Sequence, residues 1–221
     1  MTQTEPALPT LPRRASTAEA VAEVLRAQIA EGRLRPGTQL REEHIAGAME
    51  VSRNTVRESF RLLGHARLVE HALHRGVFVR TVGPDEIRAM YRTRRIVEPL
   101  GLVRVDAHGV TALHEIVQRA ESAVSQGDWS AVGTADIDFH RQVVAGCDSV
   151  HLAAMFEGLL AELRLAFLRL PDARALHEPF LQRNRRLLVL LEAGDLEAAV
   201  AELDDYLVTA EANLLEAVRE H

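Results

Sequence analysis

PGTQLREEHIAGAMEVSRNTVRESFRLLGHARLVEHALHRGVFV, residues 36–79, is the stretch that decides the fold. It opens on Pro36-Gly37, a dipeptide that punctuates helices with a turn. A short helical pattern near 42–49 runs into a break. A second covers about 52–64, where Ser52 is an N-cap residue type and Gly64 a stop. Val56, Phe60 and Leu63 recur at helical spacing and form its core-facing stripe. Leu68-Val69 and Val77-Phe78-Val79 are then two β-leaning runs around a polar segment that contains Gly76, the pattern of a hairpin. Two short helices with a tight break and a hairpin behind them outline a winged helix-turn-helix.

That outline carries a chemical expectation. An α-helix fits the major groove of DNA, and the helix before it braces it on the backbone. Ser52, Arg53, Asn54, Thr55 and Arg57 crowd the first turns of the second helix, where free backbone N–H groups and the positive dipole end favour phosphate. Arg53 and Arg57 lie one turn apart on one face, as reading guanine edges or clamping phosphates requires. His74, Arg75 and Gly76 at the hairpin tip reach for the flanking groove. The competing reading is a helix-turn-helix used only as packing scaffold.

Upstream, residues 18–31 place Val21, Leu25 and Ile29 on one helical stripe that stops at Gly32. Residues 1–15 carry prolines where a secretory signal would have its apolar core, and read as a flexible tail. Downstream, Gly83-Pro84 marks a boundary, since proline suits the first turn of a new helix. From there the pattern is helical over approximately 84–106, 111–125, 128–146, 150–170, 174–193 and 195–219. Leucine and alanine at three- and four-residue spacing with short breaks favour an antiparallel bundle. The expected organisation is a tail over 1–15, a DNA-binding head over 16–82 and an effector-binding, dimerising body over 83–221. The fold class is mainly α: a winged helix-turn-helix followed by an all-helical bundle.

Composition bounds the rest. At 221 residues, with 47% hydrophobic and 26% charged residues, the chain is an ordinary globular one. No apolar run approaches the roughly 18 residues of a membrane span, so no membrane partner is expected. One cysteine, Cys147, forms no internal disulfide and no thiolate metal cluster, and the cytoplasm fits best. The net charge of −6 hides an asymmetry: 12 Arg face 9 Asp and Glu over residues 1–82, but 14 face 23 over 83–221. A basic head on an acidic body suggests different partners for the two parts. Every basic residue is Arg, which reads as codon usage and makes arginine richness poor evidence for DNA by itself.

Pro36-Gly37, Leu40, Glu42, Val51-Ser52-Arg53, Val56-Arg57-Glu58, Leu62-Leu63 and Arg75-Gly76, in that order, resemble the winged-helix domain of the GntR family of bacterial transcriptional regulators over about residues 18–82. Three positions depart from the family pattern. Glu50 stands where the inter-helix turn usually has Gly, placing a side chain where φ > 0 is wanted at about 1 kcal/mol, and a negative charge near DNA. Asn54 replaces a small hydroxyl, and Phe60 a leucine.

Residues 84–221 resemble, more loosely, the FCD effector domain of the FadR branch of that family. The resemblance rests on Arg95-Ile96-Val97-Glu98-Pro99, on Asp136-Ile137-Asp138-Phe139-His140, and on Glu192-Ala193-Gly194-Asp195 with Ala198-Ala199. It implies a divalent metal, Zn or Ni, held by Asp136 and His140 on one helix and by two later histidines. Asn184 and Tyr206 occupy those later positions, so a metal should bind weakly at best. His177, roughly 10.5 Å of helix rise before Asn184, is not a substitute. The alternative is a hydrogen-bonded Asp136–His140 pair in a metal-free pocket or in plain structure. An organic acid there needs a cation, for which Arg95 and Arg164 are the candidates. The effector site is therefore expected at Arg95, Asp136, His140, Arg164, Asn184 and Tyr206.

The resemblance implies a homodimeric regulator on a palindromic operator, by default a repressor released by a metabolite or organic acid, and not an enzyme. The alternatives are a DNA-binding dimer whose body is purely structural and, more remotely, a metal-dependent hydrolase using Asp136 and His140, for which no nucleophile motif such as G-x-S-x-G is present.

Overall fold

The computed structural model describes residues 16–219, so the N-terminal tail expected over 1–15 lies outside the described residues. The head consists of α1 (Thr17–Ala30), β1 (Gln39–Leu40), α2 (Glu42–Ala48), α3 (Arg53–His65), β2 (Val69–Ala72) and β3 (Gly76–Val79). The body consists of α4 (Pro84–Leu102), α5 (Ala107–Ser125), α6 (Trp129–Ala145), α7 (Val150–Phe167), α8 (Ala173–Glu192) and α9 (Leu196–Arg219).

Local chemistry accounts for the head. Ser16 caps α1 through a capping box with Glu19, and Gly32 at φ +73° ends it. Ser52 caps α3, its hydroxyl accepting from the Thr55 N–H at 3.1 Å. Val56, Phe60 and Leu63 are fully buried, as their spacing requires. Gly64 does not stop α3. The helix runs on to His65, and the chain turns at Arg67, a non-glycine residue at φ +56°. The three-stranded sheet has the order β1-β3-β2, all antiparallel, with Val69 opposite Val79 and Gln39 opposite Phe78. The two-residue β1, which joins the turn before α2 to the wing, carried no sequence signal of its own.

In the body the expected helices form, with shifted ends. The His108-Gly109 break does not exist: both residues lie inside α5, because Asp106 starts that helix by accepting from the Gly109 N–H at 2.8 Å. The true break is Val103–Asp106. α5 packs chiefly on α6, α4 on α9, and α8 against both α9 and α6. α4 and α6 cross at backbone contact. A Cβ on Gly101 would collide with the Val143 carbonyl, so this crossing requires glycine.

Head and body share one continuous core, from Val21 in α1 to Val218 in α9, with Val82 and Ile87 fully buried at the junction. Polar ties reinforce that junction. Glu162 of α7 accepts from Arg80, at the end of the wing, at 2.6 Å and from Arg67, at the exit of α3, at 3.3 Å. Arg164 reaches from α7 to the Ala30 carbonyl that ends α1, at 3.0 Å.

Candidate functional site

Two regions of the molecule carry the predicted residues. The first is the exposed face of α3. Arg53 and Arg57 project from its first turns with side chains 58% and 62% exposed. Each is held by an acidic residue of the neighbouring helix α2: Arg53 by Glu43, and Arg57 by Glu42 at 2.9 Å. Asn54 is exposed beside them, while the Ser52 and Thr55 hydroxyls bond to each other at 2.8 Å in the cap. These pairs are shallow, and a phosphate or base edge can replace the carboxylates at little cost.

Glu50, between α2 and α3, takes φ +53°, the left-handed backbone anticipated for that position. At the wing, His74 also has a positive φ, +60°, and Gly76 follows at +101°. Gln39 of β1 holds the Arg75 carbonyl at 2.8 Å, and the Arg75 guanidinium lies 5.6 Å from the Phe78 ring centre. The wing tip is thereby pinned to the sheet while its side chains stay exposed.

The second region lies at the centre of the bundle, around Asp136 of α6. Its Oδ1 accepts from the Tyr206 hydroxyl of α9 at 2.8 Å and from the Asn184 Nδ2 of α8 at 2.9 Å. Its Oδ2 lies 3.9 Å from Nδ1 of His177, also on α8. Burial works against the charged form of Asp136, but His140, His177 and the two hydrogen bonds outweigh it and hold its pKa below the ordinary carboxylate value. Burial pushes the Tyr206 hydroxyl well up, and Asp136 adds to this, so Tyr206 keeps the proton it donates. Burial lowers the His177 pKa against the pull of Asp136, with Arg164 pushing the same way as burial, so His177 stays neutral near pH 7.

His140, one turn beyond Asp136, lies with its ring 5.0 Å from that of Tyr206. Its Nδ1 pairs with Glu98 of α4 at 2.6 Å, and Glu98 also accepts from Arg94 Nε at 2.5 Å. All three side chains are almost wholly buried. Burial opposes the Glu98 charge, yet Arg94 and His140 together keep its pKa low. The Arg94 guanidinium also rests 4.8 Å from the Tyr91 ring, whose hydroxyl burial pushes up to about 12.

A cavity of about 160 Å³ opens between α5, α6 and α8, lined at one end by Asp136, His177 and Asn184 and elsewhere mainly by aliphatic side chains and Phe139. The structure thus brings together Asp136, Asn184 and Tyr206, and places His140 behind them. It does not bring in Arg95 or Arg164. Arg95 pairs with Glu211 at 3.2 Å, because its neighbour Arg94 takes the inward position on α4. Arg164 bonds the Ala30 carbonyl through Nε and the Ser130 hydroxyl through Nη2, and acts on the site only through its charge beside His177. His177, set aside from sequence because of its distance along α8, belongs to the site. Seven residues are two helical turns, so His177 and Asn184 share a face and reach the same carboxylate. Gly133 of α6 makes the room, since a Cβ there would strike the His177 ring. Tyr91, Arg94 and Glu98 were missed as well. The spacing of Arg94 and Glu98, four apart, was a usable signal for a pair, but not for its burial.

These residues do not fit the metal that the resemblance implied. Asp136 Oδ1 already accepts two hydrogen bonds, and His140 Nδ1 is committed to Glu98. Only the buried His140 Nε2 remains of the expected nitrogen ligands, and it has no hydrogen-bond partner. Among the described residues no three His, Cys, Asp or Glu side chains converge as a cation site. Four-coordinate Zn needs more donors than this.

Residues 17–79 match the model of the bacterial regulatory proteins of the gntR family, and residues 89–209 match that of the FCD domain. A D-xylose utilization operon transcriptional repressor of Paenarthrobacter nicotinovorans is 28% identical over 84% of this chain and 83% of its own length. Among solved structures, a GntR protein from Rhodococcus sp. RHA1 is 40% identical, with a TM-score of 0.87 over 90% of this chain and 98% of its own. McbR/YncC of E. coli shares the fold at 22% identity, with a TM-score of 0.75 over 92% of this chain and 99% of its own. A winged helix-turn-helix fused to a six-helix body thus has both sequence and structural kin, and the chain belongs to the GntR family of bacterial regulatory proteins, with an FCD domain as its body.

Proposed function

We propose that the protein is a DNA-binding transcriptional regulator, acting from the cytoplasm as a homodimer on a palindromic operator and controlled by a small molecule bound in the cavity of its helical body. The observation that carries this reading is α3: a capped helix whose Arg53 and Arg57 stand exposed at its N-terminal turns, held only by surface carboxylates. Ser52, Asn54, Thr55 and the wing residues His74, Arg75 and Gly76 complete the DNA contact. Repression is the direction supported by the related repressors of D-xylose utilization and gluconate operons. The FadR branch is supported by the motifs around Glu98, Asp136 and Gly194.

Ile96, Leu100 and Val103 support the dimer. They form an exposed apolar row along the end of α4, at 69%, 47% and 40% exposure, of the kind two copies can cover about a two-fold axis. We read the body as metal-free, on the donor set described above. The cavity and the Asp136 Oδ2 at its wall, with no donor nearer than His177 at 3.9 Å, favour a ligand over a purely structural body. Hydrolysis is disfavoured, because Asp136 and His140 are each engaged by neighbours and neither is poised as a general base.

Fluorescence anisotropy with duplexes from the gene's own upstream region tests the reading. Binding should weaken steeply with salt. Arg53→Ala and Arg57→Ala should each cost roughly 1–3 kcal/mol of operator affinity. Unchanged affinity in both variants would remove α3 as the reader.

A further inference from the structure

The cavity beside Asp136 has a polarity that selects among ligands. An ionised carboxylate can only accept hydrogen bonds, so the Asn184 amide must turn its Nδ2 toward Asp136. Its Oδ1 is left buried in the cavity wall without a partner, on a residue that is 8% exposed. Asp136 Oδ2 has no hydrogen bond either, since His177 Nδ1 stands at 3.9 Å. The end of the cavity therefore presents one free acceptor, the charged Asp136 Oδ2, while the unpartnered Asn184 Oδ1 lies buried.

Of the described residues that line the cavity, Arg185 is the one arginine. Arg185, on the cavity wall, pairs with Glu121 at the rim. Arg164 is bonded to Ala30 and Ser130, and Arg94 pairs with Glu98; its buried Nη2 has no partner, but Arg94 does not line this cavity. His177 is neutral for the reasons given above. A ligand carboxylate at the Asp136 end would meet that charge at low dielectric, and Arg185 at the rim could draw it only by leaving Glu121. The remaining wall, with Val117, Val132, Phe139 and Leu181, is apolar. A cavity of this size holds about one six-membered ring or its equivalent in chain.

Resting on the reading of this cavity as the effector site, we propose that it takes a small, mainly hydrocarbon molecule ending in a protonated amine, which donates to Asp136 Oδ2. This assigns the effector to the amines and separates it from carboxylate ligands.

Benzylamine, benzyl alcohol and benzoate have one skeleton and three head groups, and calorimetric titration of the full-length protein with each provides the test. Benzylamine should bind about tenfold tighter than benzyl alcohol, the difference a charge-assisted hydrogen bond makes, and benzoate weakest of all. Asp136→Asn should erase the preference for benzylamine while leaving benzyl alcohol unchanged. If that variant does not fold, Asn184→Leu removes the hydrogen bond that holds Asp136 in place and should weaken benzylamine severalfold. Benzoate or benzyl alcohol binding best would overturn the amine assignment and leave the cavity an effector site. Benzylamine binding that survives Asp136→Asn places the amine elsewhere and overturns it too. If no probe binds up to about 10 mM, the reach expected of so small a ligand, the amine assignment fails. The effector reading fails with it only if filling the cavity by Ala120→Leu also leaves operator affinity unchanged.

Discussion

Arginine does opposite things at the two ends of this molecule. On α3, Arg53 and Arg57 lie in water, each leaning on one glutamate of α2. In the bundle, Arg94 is 2% exposed and fixed between Glu98 and the Tyr91 ring. Exposed pairs contribute about 0–1 kcal/mol and exchange partners freely, whereas breaking a buried pair strands a charge at several kcal/mol. The same side chain is thus a replaceable contact in the head and a fixed strut in the body. An arginine that must leave its partner to meet DNA cannot also be one on which the fold depends.

The largest effect expected from this contrast is in the body. Glu98→Ala leaves both Arg94 and His140 without their partner and should cost about 3–5 kcal/mol in denaturant unfolding. A loss below about 1 kcal/mol would erase the distinction between the two regions. Next comes the turn before the reader helix. Glu50→Gly relieves a left-handed side chain and removes a negative charge beside DNA. It should stabilise the protein by about 1 kcal/mol and strengthen operator binding. Smaller still, Glu42→Gln with Glu43→Gln frees Arg57 and Arg53. Stability should change by less than about 1 kcal/mol while DNA affinity rises. Equal or weaker binding would mean that the α2 glutamates orient the arginines rather than compete for them.

Acidification sharpens the contrast from the other side. The folded body depresses the His177 pKa, so the unfolded chain takes up that proton first. Stability should be insensitive to this group above about pH 6.5 and fall as pH drops below it. Asp136, which faces His177 and is itself held low, adds a loss in the same direction at lower pH, while Arg164 stays charged throughout. His177→Gln should flatten the upper part of the decline in a melting-temperature series between about pH 7 and 5. An unchanged slope would show that His177 titrates alike in both states.

Much of the head was legible in the sequence, because its signals are local. The Ser52 cap, the Val56–Phe60–Leu63 stripe and the strained Glu50 each depend on residues within a turn or two. β1 was illegible, since two residues carry no period and are strand only by pairing with β3. In the body, helices were legible and the site only half so. Asp136, Asn184 and Tyr206 do meet, but the choice of Arg95 over Arg94 required the rotational phase of α4. His177 was discarded by measuring along a helix axis when the relevant measure was the facing direction of the side chain. His108-Gly109 was misplaced because a glycine near a helix start reads as a stop, whereas Asp106 upstream supplies the start.

Glu162 joins one carboxylate of the body to the ends of both DNA-reading elements, through Arg67 and Arg80. A sideways slide of α7 would carry the helix and the wing together, like a hand turned at the wrist with its fingers set. In the proposed dimer, each half of a palindromic operator would still be gripped in the same way. What changes is the distance between the two grips, so such a switch would be felt through the spacing of the half-sites and not through their letters.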